Sequence, residues 1–166
     1  KIMDEYYKIL GVSPSADEKE IEEAYQNLRA KYSKDRFLEG DAGNEAAKKL
    51  SKVEEAYYEI IEMRKFNNRE EKQKEESARK LEEVKSALKN GQVEKAQQIL
   101  NNIETKNAEW HYVQANIYYK KLWINEARQQ LEIAVSMDPD NEKYRIALKK
   151  VKEKSLFLLQ RGKKVL

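Results

Sequence analysis

The chain has 166 residues, with 33 Lys plus Arg against 30 Asp plus Glu, a single histidine and no cysteine. That length holds one or two small domains; the missing cysteine excludes disulfides and thiolate chemistry, and a net charge of +3 is too small to point to nucleic acid. With 40% hydrophobic and 38% charged residues but only five Gly and two Pro, the composition fits a mostly helical protein with charged outer faces.

Glu5-Tyr6-Tyr7-Lys8-Ile9-Leu10-Gly11-Val12 reads as one short helical segment, stopped by Gly11 and then Pro14. From Asp17 to Tyr32 the residues Ile21, Ala24, Tyr25, Leu28 and Tyr32 recur every three or four positions on one helix face. Asp17 is the expected N-cap, with Glu20 completing a capping box. A break is expected at Tyr32-Ser33-Lys34-Asp35-Arg36, with Gly40 and Gly43 merely loosening the loop that follows. From about Asn44 a second stripe runs through Ala46, Leu50, Val53, Tyr57, Ile60 and Ile61, so the two stripes should face each other as an antiparallel helix pair. Residues 63–77 are almost all charged or amide. Lacking Gly and Pro, and with Glu71 and Glu75 near Lys74 and Arg79 at helical spacing, they predict a helical spacer with Asn67-Asn68 as its weakest point; a disordered charged linker is the alternative.

The second half repeats itself. Leu81, Val84, Ala87 and Leu88 lead to a turn at Asn90-Gly91, then Val93, Ala96, Ile99, Leu100 and Ile103; a second pass gives Trp110, Ala115, Tyr118, Tyr119, a turn at Leu122-Trp123, then Ala127, Leu131, Ala134 and Asp138-Pro139. Leu122 stands where Gly91 stands in the first copy, so a left-handed residue there is strained. Asn141 should cap a last helix whose Tyr144, Ile146, Leu148, Val151, Leu156 and Leu159 cover the exposed face of the second pair.

The first part resembles a J-domain, the module through which co-chaperones engage DnaK-type heat-shock chaperones. The resemblance is carried by Tyr6-Tyr7, Leu10-Gly11-Val12, Ile21, Ala24-Tyr25, Leu28, Tyr32, Asp35-Arg36 and Glu55-Ala56-Tyr57. It implies a chaperone-contact surface at Ser33, Lys34, Asp35 and Arg36 with Arg29 and Lys31. Family members stimulate the chaperone's ATPase with a His-Pro-Asp triplet, where this chain has Ser33-Lys34-Asp35. Lysine lacks the ring that restricts proline and its predecessor, and serine lacks the imidazole. Glu22 and Glu23 also dilute the basic face of that helix. Impaired or absent stimulation follows as the expectation; read without the resemblance, Asp35 and Arg36 are a solvated pair joining two helices.

The second half resembles the tetratricopeptide repeat (TPR), through Ala115, Tyr118, Ala127, Ala134 and Pro139 in the better copy. Such stacked pairs leave a groove that helical phase lines with Lys85, Lys89, Tyr112, Asn116, Tyr119, Lys120 and Lys150, suited to an extended acidic or C-terminal peptide. The alternative is that these tyrosines pack between helices and the lysines are solvated.

Enzymatic chemistry lacks its parts: His111 has no cysteine or nucleophile motif beside it, and the glycines at positions 11, 40, 43, 91 and 162 form no phosphate loop. The basic stretches Lys149-Lys150, Lys152 and Arg161 to Lys164 are interrupted and carry no base-reading module. The longest apolar run, Leu156-Phe157-Leu158-Leu159, is far short of the roughly 20 residues that span a bilayer. The chain opens on Lys1 with no basic and apolar leader, and a start on Lys leaves room for a removed segment; a cytoplasmic location is the default expectation.

The reading is therefore an all-α protein: a J-like helix pair over 1–63, a helical linker over 64–77, and a short TPR-type solenoid with a capping helix over 78–166. It is expected to be a non-catalytic, chaperone-associated adaptor without cofactor or metal. A DnaK-type chaperone is one partner, its contact weakened, and a client or scaffold protein held in the groove is the other; a pure interaction scaffold that no longer meets the chaperone is the alternative.

Overall fold

The computed structural model describes residues 2–165, and over that span it is all-α. Seven helices follow one another: α1 (Ile2–Leu10), α2 (Glu18–Asp35), α3 (Asp41–Lys89), α4 (Val93–Asn101), α5 (Ala108–Lys120), α6 (Ile124–Met137) and α7 (Glu142–Val165). Two units, Lys1–Glu71 and Lys72–Leu166, each hold their own core. The division falls within α3, which runs 49 residues and passes through Asn67-Asn68 without a break. The amides there lower helix propensity only slightly, and no Gly or Pro adds to them.

In the first unit, Asp17 caps α2 by accepting from the Glu20 amide at 2.8 Å. Ile21, Val53, Ala56 and Ile60 are buried with Tyr7 and Leu10 of α1, and Tyr25, Leu28, Tyr32 and Tyr57 pack partly buried around them. The expected break at Tyr32 to Arg36 is displaced: α2 continues through Ser33, Lys34 and Asp35, and Arg36 becomes its C-cap, with its amide donating to the carbonyls of Tyr32 and Lys34. The reason lies in Lys34, which has the N–H and the free φ that a helix requires and proline denies.

The loop between α2 and α3 is not loose. Gly43 is buried in the first turns of α3, where backbone oxygens of Leu38 and Arg36 close over it and leave no room for a side-chain carbon. Gly43 therefore fixes the loop rather than loosening it, and α3 starts at Asp41, a few residues before the apolar stripe.

In the second unit, Leu81, Val84, Ala87 and Leu88 from the end of α3 form one core with Ala96, Leu100, Ile103, Trp110, Val113 and Ile117. A second core joins Ala115, Ile124, Ala127, Leu131 and Val151. α4 packs on α5, α5 on α6 and α6 on α7. Ala96, Ala115, Ala127 and Ala134 are fully or almost fully buried, and their small size lets neighbouring helices approach. Asn141 caps α7 by accepting from the Tyr144 amide at 3.4 Å. Of the α7 residues expected to cover the preceding pair, Tyr144 and Val151 are buried and Leu148 partly so, whereas Ile146, Leu156 and Leu159 are exposed. For the last two, α7 (24 residues) extends past α6 (14 residues), so its far end passes beyond the start of α6 at Ile124.

Three turns close identically. Val12 donates to the Tyr7 carbonyl at 3.1 Å, Gln92 to Ala87 at 2.8 Å and Trp123 to Tyr118 at 2.9 Å, each with a left-handed residue just before the donor. Gly11 and Gly91 take that position at φ 69° and 76°; Leu122 takes it at 64°. The closure is the Schellman motif, and only the third instance places a side chain in it.

Candidate functional site

Two surfaces carry the sequence-predicted residues. The first is the end of α2. Ser33 and Asp35 are half-buried in its last turn, while Lys34 and Arg36 are exposed. Arg36 lies over the Phe37 ring, 4.8 Å from its centroid. The Lys31 ammonium stands 5.6 Å from the centre of Tyr32, and Arg29 reaches Glu54 of α3 at 3.9 Å. Lys31 and Arg36 thus lie against aromatic rings, and Arg29 is spent on an exposed pair of small energetic weight. Sequence reasoning passed over Phe37 and Leu38, both exposed beside Arg36; a loop residue with a large apolar side chain was the available signal.

Farther back along α2, Glu22 accepts hydrogen bonds from Gln26 at 2.9 Å and from the Tyr57 hydroxyl. These hold its carboxyl below the usual range, Gln26 contributing most. The same bond, followed by burial, pushes the Tyr57 phenol up to about 12. Tyr25 stacks on Tyr57 with ring centres 3.9 Å apart, so the Glu22 carboxylate on α2 is held by its own scaffold through Gln26 and Tyr57.

The second surface is a pair of adjoining clefts. One, about 700 Å³, is lined by Tyr112, Asn116, Tyr119, Ile146 and Lys150 among others; its neighbour, about 580 Å³, by Lys85, Lys89, Asn116, Tyr119 and Lys120. All seven residues picked by helical phase fall on these walls, and Asn116 and Tyr119 belong to both. Tyr119 is exposed, whereas Tyr112 is half-buried against Tyr144, with ring centres 5.0 Å apart. One cation departs from expectation. Lys85 is no free groove charge, because it pairs with Glu82 at 3.0 Å and with Glu109, and the bond to Glu109 raises its pKa. Helical phase located Lys85 correctly but is blind to a carboxylate arriving from another helix. Lys143, missed from sequence, stands 4.5 Å over the Tyr112 ring, and Glu142 beside it supplies a negative charge on the same wall.

His111 donates from Nδ1 to Gln130 Oε1 across 2.7 Å and meets Trp110 edge-on; its ring joins α5 to α6. No helix among the described residues is long and apolar enough to cross a membrane.

No solved structure matches the chain. A family model described as the DnaJ domain matches residues 5–71, the span that holds α1, α2 and the first part of α3. The first part of the chain is thus similar to the DnaJ domain.

Proposed function

We propose that this protein is a cytoplasmic, non-catalytic adaptor whose J-domain meets a DnaK-type chaperone with little or no stimulation of its ATPase, while a TPR-type array in the second unit holds a client or scaffold peptide. The observation that carries the first half is the course of α2 through Ser33-Lys34-Asp35. In the resemblance these positions belong to a His-Pro-Asp loop; here they lie on a regular helix, with no imidazole and no proline to set the tip. Glu22, held ionised by Gln26 and Tyr57, adds repulsion toward an acidic chaperone surface.

For the second half, support comes from the continuous wall on which Lys89, Asn116, Tyr119, Lys120 and Lys150 meet. Exposed ammonium groups and an amide suit a peptide backbone with carboxylate side chains or a free C-terminus.

A single-turnover ATPase measurement with a DnaK-type chaperone tests the first half. The unaltered chain should accelerate turnover little, and Ser33→His with Lys34→Pro should gain stimulation if the remaining surface still docks. Strong stimulation by the unaltered chain would overturn the reading, and no gain in the double variant would favour a scaffold that no longer contacts the chaperone. For the groove, binding of a Glu-rich peptide should fall with salt and with Asn116→Ala or Lys120→Glu; indifference to all three would exclude it.

A further inference from the structure

We propose that Glu109 is a specificity-determining residue of the groove: it holds Lys85 as an internal competitor, so that the carboxylates of a bound acidic segment are met in the smaller cleft by Lys89 and Lys120 and not by Lys85. This inference rests on the peptide groove proposed above and adds the residue that limits what the groove attracts.

The smaller cleft, about 580 Å³, carries three lysines on its wall, Lys85, Lys89 and Lys120. They are not equivalent. Lys89 and Lys120 are exposed and pair with no carboxylate among the described residues. Lys85 is half-buried and meets two, Glu82 on its own helix at 3.0 Å and Glu109 from the first turn of α5. The Glu82 side chain is 73% exposed, and its contact is an i,i+3 surface pair of little weight. Glu109 is only 38% exposed, and its bond does most to raise the Lys85 pKa.

The Glu109 charge is felt beyond Lys85. After burial it is the largest cause that holds the Tyr144 phenol above its ordinary range, and Tyr144 packs on Tyr112 of the larger cleft. A carboxylate so placed acts twice on an acidic side chain that approaches Lys85. It must be displaced before the ammonium can change partner, and its own charge repels the newcomer. The contest is also unequal, because Glu109 is already fixed beside Lys85 while a peptide loses translational freedom on arrival. Selectivity here comes from a repulsive group as much as from the attractive ones.

Anisotropy of a fluorescein-labelled Glu-rich peptide, titrated with the full chain at low and high salt, tests the proposal. Glu109→Gln keeps the side-chain shape and should tighten binding about threefold at low salt, the size of one more exposed ion pair. Its affinity should also fall more steeply as salt is added. Combining Glu109→Gln with Lys85→Met should return both quantities to those of the unaltered chain. Glu83→Gln removes the same charge from an exposed position of α3 that lines neither cleft, and should leave binding unchanged. If the unaltered chain binds but Glu109→Gln fails to tighten, if Glu83→Gln tightens as much, or if the gain survives Lys85→Met, the role of Glu109 is overturned while the groove stands. If neither the unaltered chain nor any variant binds the peptide, the groove and the role of Glu109 fall together.

Discussion

The backbone carbonyl oxygen of Leu38 occupies the place that a side-chain carbon on Gly43 would need, and the carbonyl of Arg36 stands 3.0 Å from the same point. The loop leaving α2 is thereby pinned to the first turns of α3. A glycine inside an ordinary helix is improved by alanine by about 0.5–1 kcal/mol. Gly43→Ala should do the reverse, lowering stability by about 1–3 kcal/mol because backbone rather than a movable side chain must yield. Chemical denaturation of the variant checks the sign, and amide shifts should change over 36–40 while those of the second unit stay put.

Leu122 and Gly91 form a matched pair of tests, since both close the same turn with a left-handed residue, at φ 64° and 76°. Leu122→Gly should stabilise the fold by about 1 kcal/mol, and Gly91→Ala should destabilise it by about the same. Neither position is crowded: Leu122 is exposed and a Cβ at Gly91 meets nothing. Equal and opposite shifts in denaturation midpoint would isolate backbone strain; a loss of stability in Leu122→Gly would refute it.

The bond between the Tyr57 hydroxyl and Glu22 makes a pH prediction whose sign is fixed. The folded protein raises the phenol from 10.0 to about 12, holding the proton more tightly than the unfolded chain. Its contribution is whole below about pH 10 and is lost as pH rises through about 12. Glu22 is lowered instead, so its contribution is present above its ordinary value of 4.5 and fades as pH falls through the lowered one. In Tyr57→Phe the stacking on Tyr25 survives. The alkaline loss assigned to this phenol should vanish, and the Glu22 pKa should rise without returning fully, because Gln26 contributes the larger share. Side-chain carboxyl shifts across a pH titration would measure it.

Local chemistry made most of the helices legible: Asp17, Gly11, Gly91 and Asn141 act where their residue types predict, through bonds no longer than a few positions. What escaped depends on distant groups or on a competing expectation. The close approach at Gly43 and the pairing of Lys85 with Glu109 arise from segments that meet only in the folded unit. The break expected at Tyr32 to Arg36 also failed: the apolar stripe of α2 ends at Tyr32, but Ser33-Lys34-Asp35 contains no helix breaker and the helix runs on through it. Leu156 and Leu159 keep the apolar period of α7, but periodicity does not reveal that the neighbouring helices are too short to cover them.

The course of α2 through that triplet can be reversed by one substitution. In the helix, the Lys34 N–H faces the carbonyl of the preceding turn, and Arg36 donates to Tyr32 at 3.0 Å. Proline at 34 removes the first bond, sets its ring against the Ala30 carbonyl and disfavours helical angles at Ser33. A proline in a helix interior costs about 3 kcal/mol, and at this frayable end Lys34→Pro should cost less, about 1–2 kcal/mol. Carbon shifts over 33–35 should leave their helical values and the Arg36 amide should exchange faster, while the Tyr25–Tyr57 stack is unchanged. Shifts that stay helical in Lys34→Pro would mean that packing against α3, and not the missing proline, carries α2 to Asp35; Ser33→His with Lys34→Pro would then have no route to restoring chaperone stimulation.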